Sequence, residues 1–216
     1  MFSVMTNLLH IDSSIRGPQS VSREISAAFA EAWKTANPTG RYTYRDLQVT
    51  PVPALTSEYV YGAQTPADQR TADQQAALDA TEWVREDLRQ ADVILLGVPM
   101  YNFTIPTSLR GWLDYAIAPE FVLNDDGDGP LAHKKLVAVT ARGGSYAPGT
   151  PRENFDFQEP YLRAALSQIG LDRDITFVHT EMVLSYMVEK LFQFQHIHDA
   201  SKENAFKAVQ ELAQAS

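Results

Sequence analysis

Val93-Ile94-Leu95-Leu96-Gly97-Val98 is apolar at every position. A half-exposed strand alternates apolar and polar residues, whereas an unbroken run of this length suits a central parallel strand covered by helices on both faces. Before it, Ala77, Leu78, Trp83, Val84 and Leu88 follow a helical pattern. After it, Pro106 stands where a helix could begin, and Leu109, Trp112, Leu113, Ala116 and Ile117 form the apolar stripe. The unit recurs in both directions. Upstream, Leu8-Leu9-His10-Ile11-Asp12 stops at Ser13-Ser14, and Ile25, Ala28, Phe29, Ala32 and Trp33 recur at helical spacing behind the cap candidates Ser20 and Ser22. Asn37-Pro38-Thr39-Gly40 ends that helix, and Tyr42 and Tyr44 alternate with polar residues up to Leu47 as an edge strand does. Downstream, Leu136-Val137-Ala138-Val139 ends at Arg142-Gly143-Gly144. A helix opens at Pro160-Tyr161 and ends at Gly170, Ile175 to Val178 is a fifth strand, and Phe206, Val209, Leu212 and Ala213 mark a last helix.

Strand and helix alternate across the whole chain, so the expected class is α/β: a doubly wound, five-stranded parallel sheet with right-handed crossovers and helices on both faces. At about 150 residues per domain, 216 residues leave room for one or two; the uninterrupted alternation makes residues 1–216 one. Thr50 to Asp73, with Pro51, Pro53 and Pro66, reads as an excursion over the surface.

Composition excludes several functions. The chain has no cysteine, which removes disulfides, thiolate-held metal and thiol catalysis. Eighteen Lys and Arg against 27 Asp and Glu give a net charge of −9, the wrong sign for nucleic acid. No apolar run is long enough to span a membrane, and the start, Met1 to Asn7, has neither the basic nor the long apolar region of a signal peptide. The expected location is the cytoplasm.

In an open parallel sheet, ligands bind beyond the carboxyl ends of the strands, where the strand order reverses. Three loops stand at such ends. Ser13 to Ser22 offers hydroxyls and free N–H groups at a helix N-terminus, an arrangement that favours phosphate; it has neither the Walker A ending nor the G-x-G-x-x-G spacing. Taken alone, its serines serve equally as helix caps. Met100-Tyr101-Asn102-Phe103 suits one face of a flat heteroaromatic ligand, though a strand end packed under a helix would look the same. Gly143-Gly144 lets backbone amides come close to a ligand, as it would also serve an ordinary turn.

The opening strand with Ser13-Ser14, then Ser20-x-Ser22, Pro99-Met100-Tyr101-Asn102-Phe103 and Arg142-Gly143-Gly144, resembles the FMN-dependent NADH azoreductases, in the quinone reductase branch of flavodoxin-like proteins, over roughly the whole chain. The resemblance implies a flavodoxin-like sheet of order 2-1-3-4-5, a homodimer, one FMN per subunit, and NADH-driven two-electron reduction of quinones and azo compounds; a ping-pong cycle, with NADH or NADPH as the donor, is the expected mechanism. It implies that Ser14, Ser20, Ser22 and the amide of Val21 hold the FMN phosphate. Met100, Tyr101, Asn102 and Phe103 would line the isoalloxazine; Ala141, Arg142, Gly143 and Gly144 would meet its pyrimidine side through main-chain groups, with Arg142 helping to balance charge there. Asn102, Phe103 and Tyr146 are the candidate substrate contacts, and no protein nucleophile is needed. Ala141 replaces the family's usual serine, Ala118 to Val122 departs from its Gly-Val-x-Phe segment, and Tyr186 to His198 has no clear counterpart.

Other features read as structure. His10 and His179 fall in strands as packed or hydrogen-bonded groups; His196 and His198 do not share a helix face and lack a third ligand. Asn124 to Gly129 lacks the spacing of a calcium loop, and Trp33, Trp83 and Trp112 fall on apolar helix faces. Two competing functions share the fold: an electron carrier that binds FMN without turning over NADH, and a flavin-free interaction protein.

Overall fold

The computed structural model describes residues 6–216. Five parallel strands, β1 (Asn7–Asp12), β2 (Arg41–Asp46), β3 (Val93–Pro99), β4 (Lys135–Ala141) and β5 (Ile175–Thr180), form one sheet of order β2-β1-β3-β4-β5. Between β1 and β3 the direction of winding reverses, and the carboxyl ends of those strands therefore diverge around a crevice. The central strand β3 is buried at all seven positions, as its unbroken apolar sequence requires.

Alternate side chains of each strand enter opposite cores. Leu8, Val93, Leu95, Val137 and Val139 pack with Ile25, Phe29 and Trp33 of α1 (Val21–Ala36) and with Ala205, Val209 and Ala213 of α7 (Gln195–Gln214). Leu9, Ile11, Ile94, Leu96, Leu136 and Ala138 face the other way. There they meet α4 (Glu82–Gln90), α5 (Thr107–Ala116) and α6 (Glu159–Ser167), with Trp112 and Tyr115 among the largest buried groups. Trp33 and Trp112 are core residues; Trp83 is half-buried and carries the Arg45 guanidinium over its ring.

Two local expectations are corrected. The excursion after β2 contains an eight-residue helix, α2 (Ser57–Gln64), capped by the Thr56 hydroxyl, which accepts from Tyr59 N–H. Its apolar content is low because only one side, with Tyr59 and Gly62, is buried. The single helix expected before β3 is two, α3 (Ala72–Asp79) and α4, broken at Ala80-Thr81. Buried Thr81 turns its hydroxyl back to the Ala77 and Leu78 carbonyls, competing with continuation of the helix. Among the described residues, no helix is long and apolar enough to cross a membrane.

Gly97 sits at the reversal point because nothing larger fits. A Cβ there would lie 2.0 Å from Asp12 Oδ1 and 3.2 Å from Ser26 Oγ, in a fully packed polar cluster. Gly97→Ala is expected to cost about 1–3 kcal/mol of overpacking, a fall of roughly 3–10 °C in the Tm of the cofactor-free protein. Thermal unfolding followed by circular dichroism checks this, and an unchanged Tm would show that Asp12 can move aside.

Candidate functional site

Asp12, 2% exposed, ends β1 and organises the loop that follows. Its Oδ1 accepts from Ser26 Oγ at 2.9 Å and its Oδ2 from the Tyr44 hydroxyl at 3.0 Å, with Arg23 Nη1 3.9 Å away. Arg23 makes a two-point pair with Asp46 at 2.6 Å per contact and donates from Nε and Nη2 to the Ser14 carbonyl. Hydrogen bonding to Arg23 holds the Asp46 carboxyl below its usual value. Burial, followed by the Asp12 charge, pushes the Tyr42 phenol up to about 12 and drives Tyr44 further in the same direction.

With its carbonyl held from behind, Ser14 turns its hydroxyl forward, 3.3 Å from the Tyr101 hydroxyl. The chain then makes a short turn at Gly17–Gln19 and enters α1 at Ser20, whose hydroxyl caps the helix by accepting from Arg23 N–H. Ser22 Oγ lies 3.1 Å from Ser20 Oγ. The N–H groups of Val21 and Ser22 find no acceptor among the described residues. A capped helix start with spare donors is suited to an anion.

Beyond β3, Tyr101-Asn102-Phe103-Thr104 forms a tight turn closed by two main-chain bonds of 2.9 and 3.1 Å. Both central residues have positive φ, 47° at Asn102 and 71° at Phe103. Asn tolerates that conformation; for Phe103 it costs of order 1–3 kcal/mol. The turn is held by the segment before α6: Phe157 N–H donates to the Phe103 carbonyl, Thr104 Oγ1 to the Phe157 carbonyl, and the Phe103 and Phe155 rings lie 5.5 Å apart.

These loops enclose a cavity of about 710 Å³. Of the residues singled out in the sequence, Ser14, Ser20, Val21, Met100, Tyr101, Asn102, Ala141 and Gly143 line it. Five do not. Ser22 is fully buried behind Ser20, and Phe103 turns toward Phe155. Gly144 lines an adjoining cavity instead. Arg142 has its N–H already bonded to the Thr180 carbonyl at 2.8 Å, and its side chain, 3% exposed, turns into the protein. Its Nε donates to Gln158, and Asp156, Glu181 and Glu159 stand 3.0, 3.7 and 3.9 Å from its terminal nitrogens. A buried guanidinium needs such partners, so it braces the loop rather than facing a ligand. Gln158 completes the brace by donating to the Val98 carbonyl. Tyr146 is buried as well, with the Arg142 guanidinium over its ring and its N–H on Glu181.

The sequence reading missed Arg16, Gln48, Thr107, Ser108, Val183 and Leu184, which also line the cavity. Gln48 follows the carboxyl end of β2, a position of the same kind as the three loops considered, and its amide ties Ser13 O to Ser108 Oγ. Leu184 had no local signal. It reaches the site because the segment after β5 folds back, Val183 and Leu184 donating to the carbonyls of Arg142 and Gly143. It packs against Gly143, where an added Cβ would be 2.7 Å from Leu184 Cδ1. Two histidines are tied into the structure: His10 Nδ1 pairs with the Tyr42 hydroxyl at 2.9 Å, and His198 Nδ1 lies 2.8 Å from the Glu181 carbonyl.

His179 bonds Thr140 Oγ1 through Nδ1 and Glu159 through Nε2. Burial and then the Arg142 charge hold its pKa below the usual value, against the pull of Glu159. The unfolded chain therefore takes up this proton first, and stability falls as pH drops below about 6.5 toward the folded value. His179→Asn should flatten that part of the curve of unfolding free energy against pH; an unchanged slope would assign it to another group.

A family model described as flavodoxin-like fold matches residues 6–212. The chain is 41% identical over 212 residues to an FMN-dependent NADH:quinone oxidoreductase of a Parafrankia species, covering 98% of this chain and 100% of that one. It is 39% identical to one from Streptomyces coelicolor, with 93% and 90% covered. Among solved structures, an azoreductase from Bacillus anthracis superposes with a TM-score of 0.82 at 22% identity, covering 98% of this chain and 100% of that one. An FMN-dependent NADH-azoreductase from the same species, in complex with FMN, gives 0.79 at 20%, with 97% and 99% covered. At those identities the structures speak for the shared fold.

Proposed function

Because the chain belongs to the family of FMN-dependent NADH:quinone oxidoreductases with the flavodoxin-like fold, we propose that it binds FMN in the cavity between β1, β3 and β4 and reduces quinones and azo compounds with NADH or NADPH. The observation that carries the reading is the fit of donors to ligand. The cavity offers the Ser14 and Ser20 hydroxyls and the spare N–H of Val21 at the start of a sixteen-residue helix. It also offers Met100, Tyr101 and Asn102 for a flat ring, and the Gly143 N–H, which has no acceptor among the described residues.

In this reading Ser14, Ser20 and Val21 hold the phosphate, with Ser22 supporting Ser20 from behind. Arg16, at the mouth and without a carboxylate partner among the described residues, adds positive charge in a chain whose net charge is −9. The Asn102 amide is placed for polar ring edges, Met100 and Tyr101 for a ring face, and the Gly143 N–H for the negative charge that reduction places on the ring. The chemistry FMN supplies when bound is the passage of two electrons from a nicotinamide to the acceptor, with donor and acceptor using one site in turn. The residues that line the cavity include no cysteine, and none is assigned as a nucleophile. A homodimer in the cytoplasm goes with the reading: Ile15, Phe103, Phe155, Phe157, Tyr186 and Met187 are exposed apolar side chains available for a second copy to cover.

Purified protein should show flavin absorbance that bleaches with NADH and returns when menadione is added after the donor is removed. A protein that stays colourless after incubation with FMN would favour the flavin-free reading, and bound flavin that NADH fails to bleach would favour an electron carrier. Ser20→Ala should raise the Kd for FMN about ten- to a hundredfold, the loss of one hydrogen bond to a charged group, while the Kd for riboflavin, which lacks the phosphate, stays within about twofold. Equal effects on the two ligands would remove Ser20 from the phosphate site.

A further inference from the structure

A second cavity of about 500 Å³ adjoins the first and shares Gly143 and Leu184 with it. Its floor is apolar, built from Met182, Leu184, Val188, Leu191, Phe194 and Ile197, most of them from the Tyr186 to His198 stretch that has no clear counterpart in the family pattern. Two exposed cations, Arg152 and Lys190, stand in its lining. Neither pairs with a carboxylate among the described residues; each is engaged there through its backbone carbonyl, by Phe155 and Gln193 respectively. The chain has nine more acids than bases, yet these two cations beside one apolar trough make no ion pair among the described residues.

The Arg152 side chain reaches the shared end of the trough. A Cβ on Gly144 would lie 3.4 Å from Arg152 Cδ and 3.6 Å from Nη1, so the guanidinium stands beside a backbone segment whose own N–H, at Gly144, has no acceptor among the described residues. An apolar surface for a ring, a guanidinium that presents a fork of donors, an ammonium and a spare amide together suit an aromatic group with an acidic substituent.

We propose that this cavity is an acceptor subsite selecting aromatic quinones or azo compounds that carry an anionic substituent, a carboxylate or a sulfonate, with Arg152 and Lys190 as the specificity-determining pair. The inference rests on the functional reading above, since the trough shares Gly143 and Leu184 with the cavity assigned to the flavin. It assigns Val188, Lys190, Leu191, Phe194 and Ile197 to substrate choice and leaves flavin binding to the loops after β1, β3 and β4.

The test compares Arg152→Gln/Lys190→Gln with the unaltered FMN-loaded protein, using a sulfonated naphthoquinone and menadione as paired acceptors. The ratio of kcat/KM for the sulfonated acceptor to that for menadione should fall about five- to tenfold, the scale of two partly exposed charge contacts, and the unaltered protein should lose the same preference as salt is raised. Lys207→Gln, a charge change far along α7, should keep the ratio. Without any donor, the equilibrium Kd of the oxidised protein for anthraquinone sulfonate should rise by a similar factor in the double variant. An unchanged ratio and Kd would overturn the subsite, as would a rise confined to the KM for NADH, which would assign the cations to the donor's phosphates. If the unaltered protein reduces neither acceptor, the functional reading fails instead.

Discussion

The buried carboxylate of Asp12 is the constraint on which the rest of the site depends. A charge 2% exposed at the end of a core strand has to be surrounded by donors. It draws Ser26 from α1, Tyr44 from β2 and the Arg23 guanidinium to one point and forbids a side chain at position 97 of β3. Arg23 then carries the constraint outward, since the guanidinium that faces Asp12 also grips Asp46 and the Ser14 carbonyl. The loop after β1 is thereby shaped before any ligand arrives, which reduces the ordering cost that binding would otherwise carry.

A second polar bracket does the same for the loop after β4. Arg142, Gln158, Asp156 and Glu181 join the β4 loop to the segment before α6, and Gln158 continues the link to Val98 on β3. The two brackets lie to either side of the crevice at which the sheet reverses. Between them the walls are mostly apolar side chains, hydroxyls and free backbone N–H groups. An acidic protein has no long-range field to draw in an anionic ligand, so local hydroxyls, amides and a helix end have to supply the attraction.

Much of this was legible in the chain. The apolar run of β3, the short runs of β1 and β4 and the stripes between them follow directly from burial on two faces, and the order of the sheet agrees with the resemblance. The loops that line the cavity were legible because ligands collect at carboxyl ends of strands. Individual side-chain roles were less so. Arg142 looks like a ligand in sequence because it sits between Ala141 and Gly143, yet the acids that claim it lie some fourteen to forty positions further on. Phe103 and Tyr146 carry rings next to ligand-lining residues, but a strained turn aims the first at Phe155 and Glu181 anchors the second. The helix α2 was missed because a short surface helix with one buried side leaves almost no periodic pattern.

The sequence by itself determined the alternation of elements, the class of fold and the places where a ligand could sit, because periodicity and turn chemistry are local properties of a chain. The tertiary structure decided which way each polar side chain faces and which distant segments close the site. Leu184 and the segment after it reach the cavity only by folding back onto the β4 loop through main-chain bonds to Arg142 and Gly143. Those bonds join residues some forty positions apart, and a hydrogen bond between backbone groups leaves no mark on the identity of either residue.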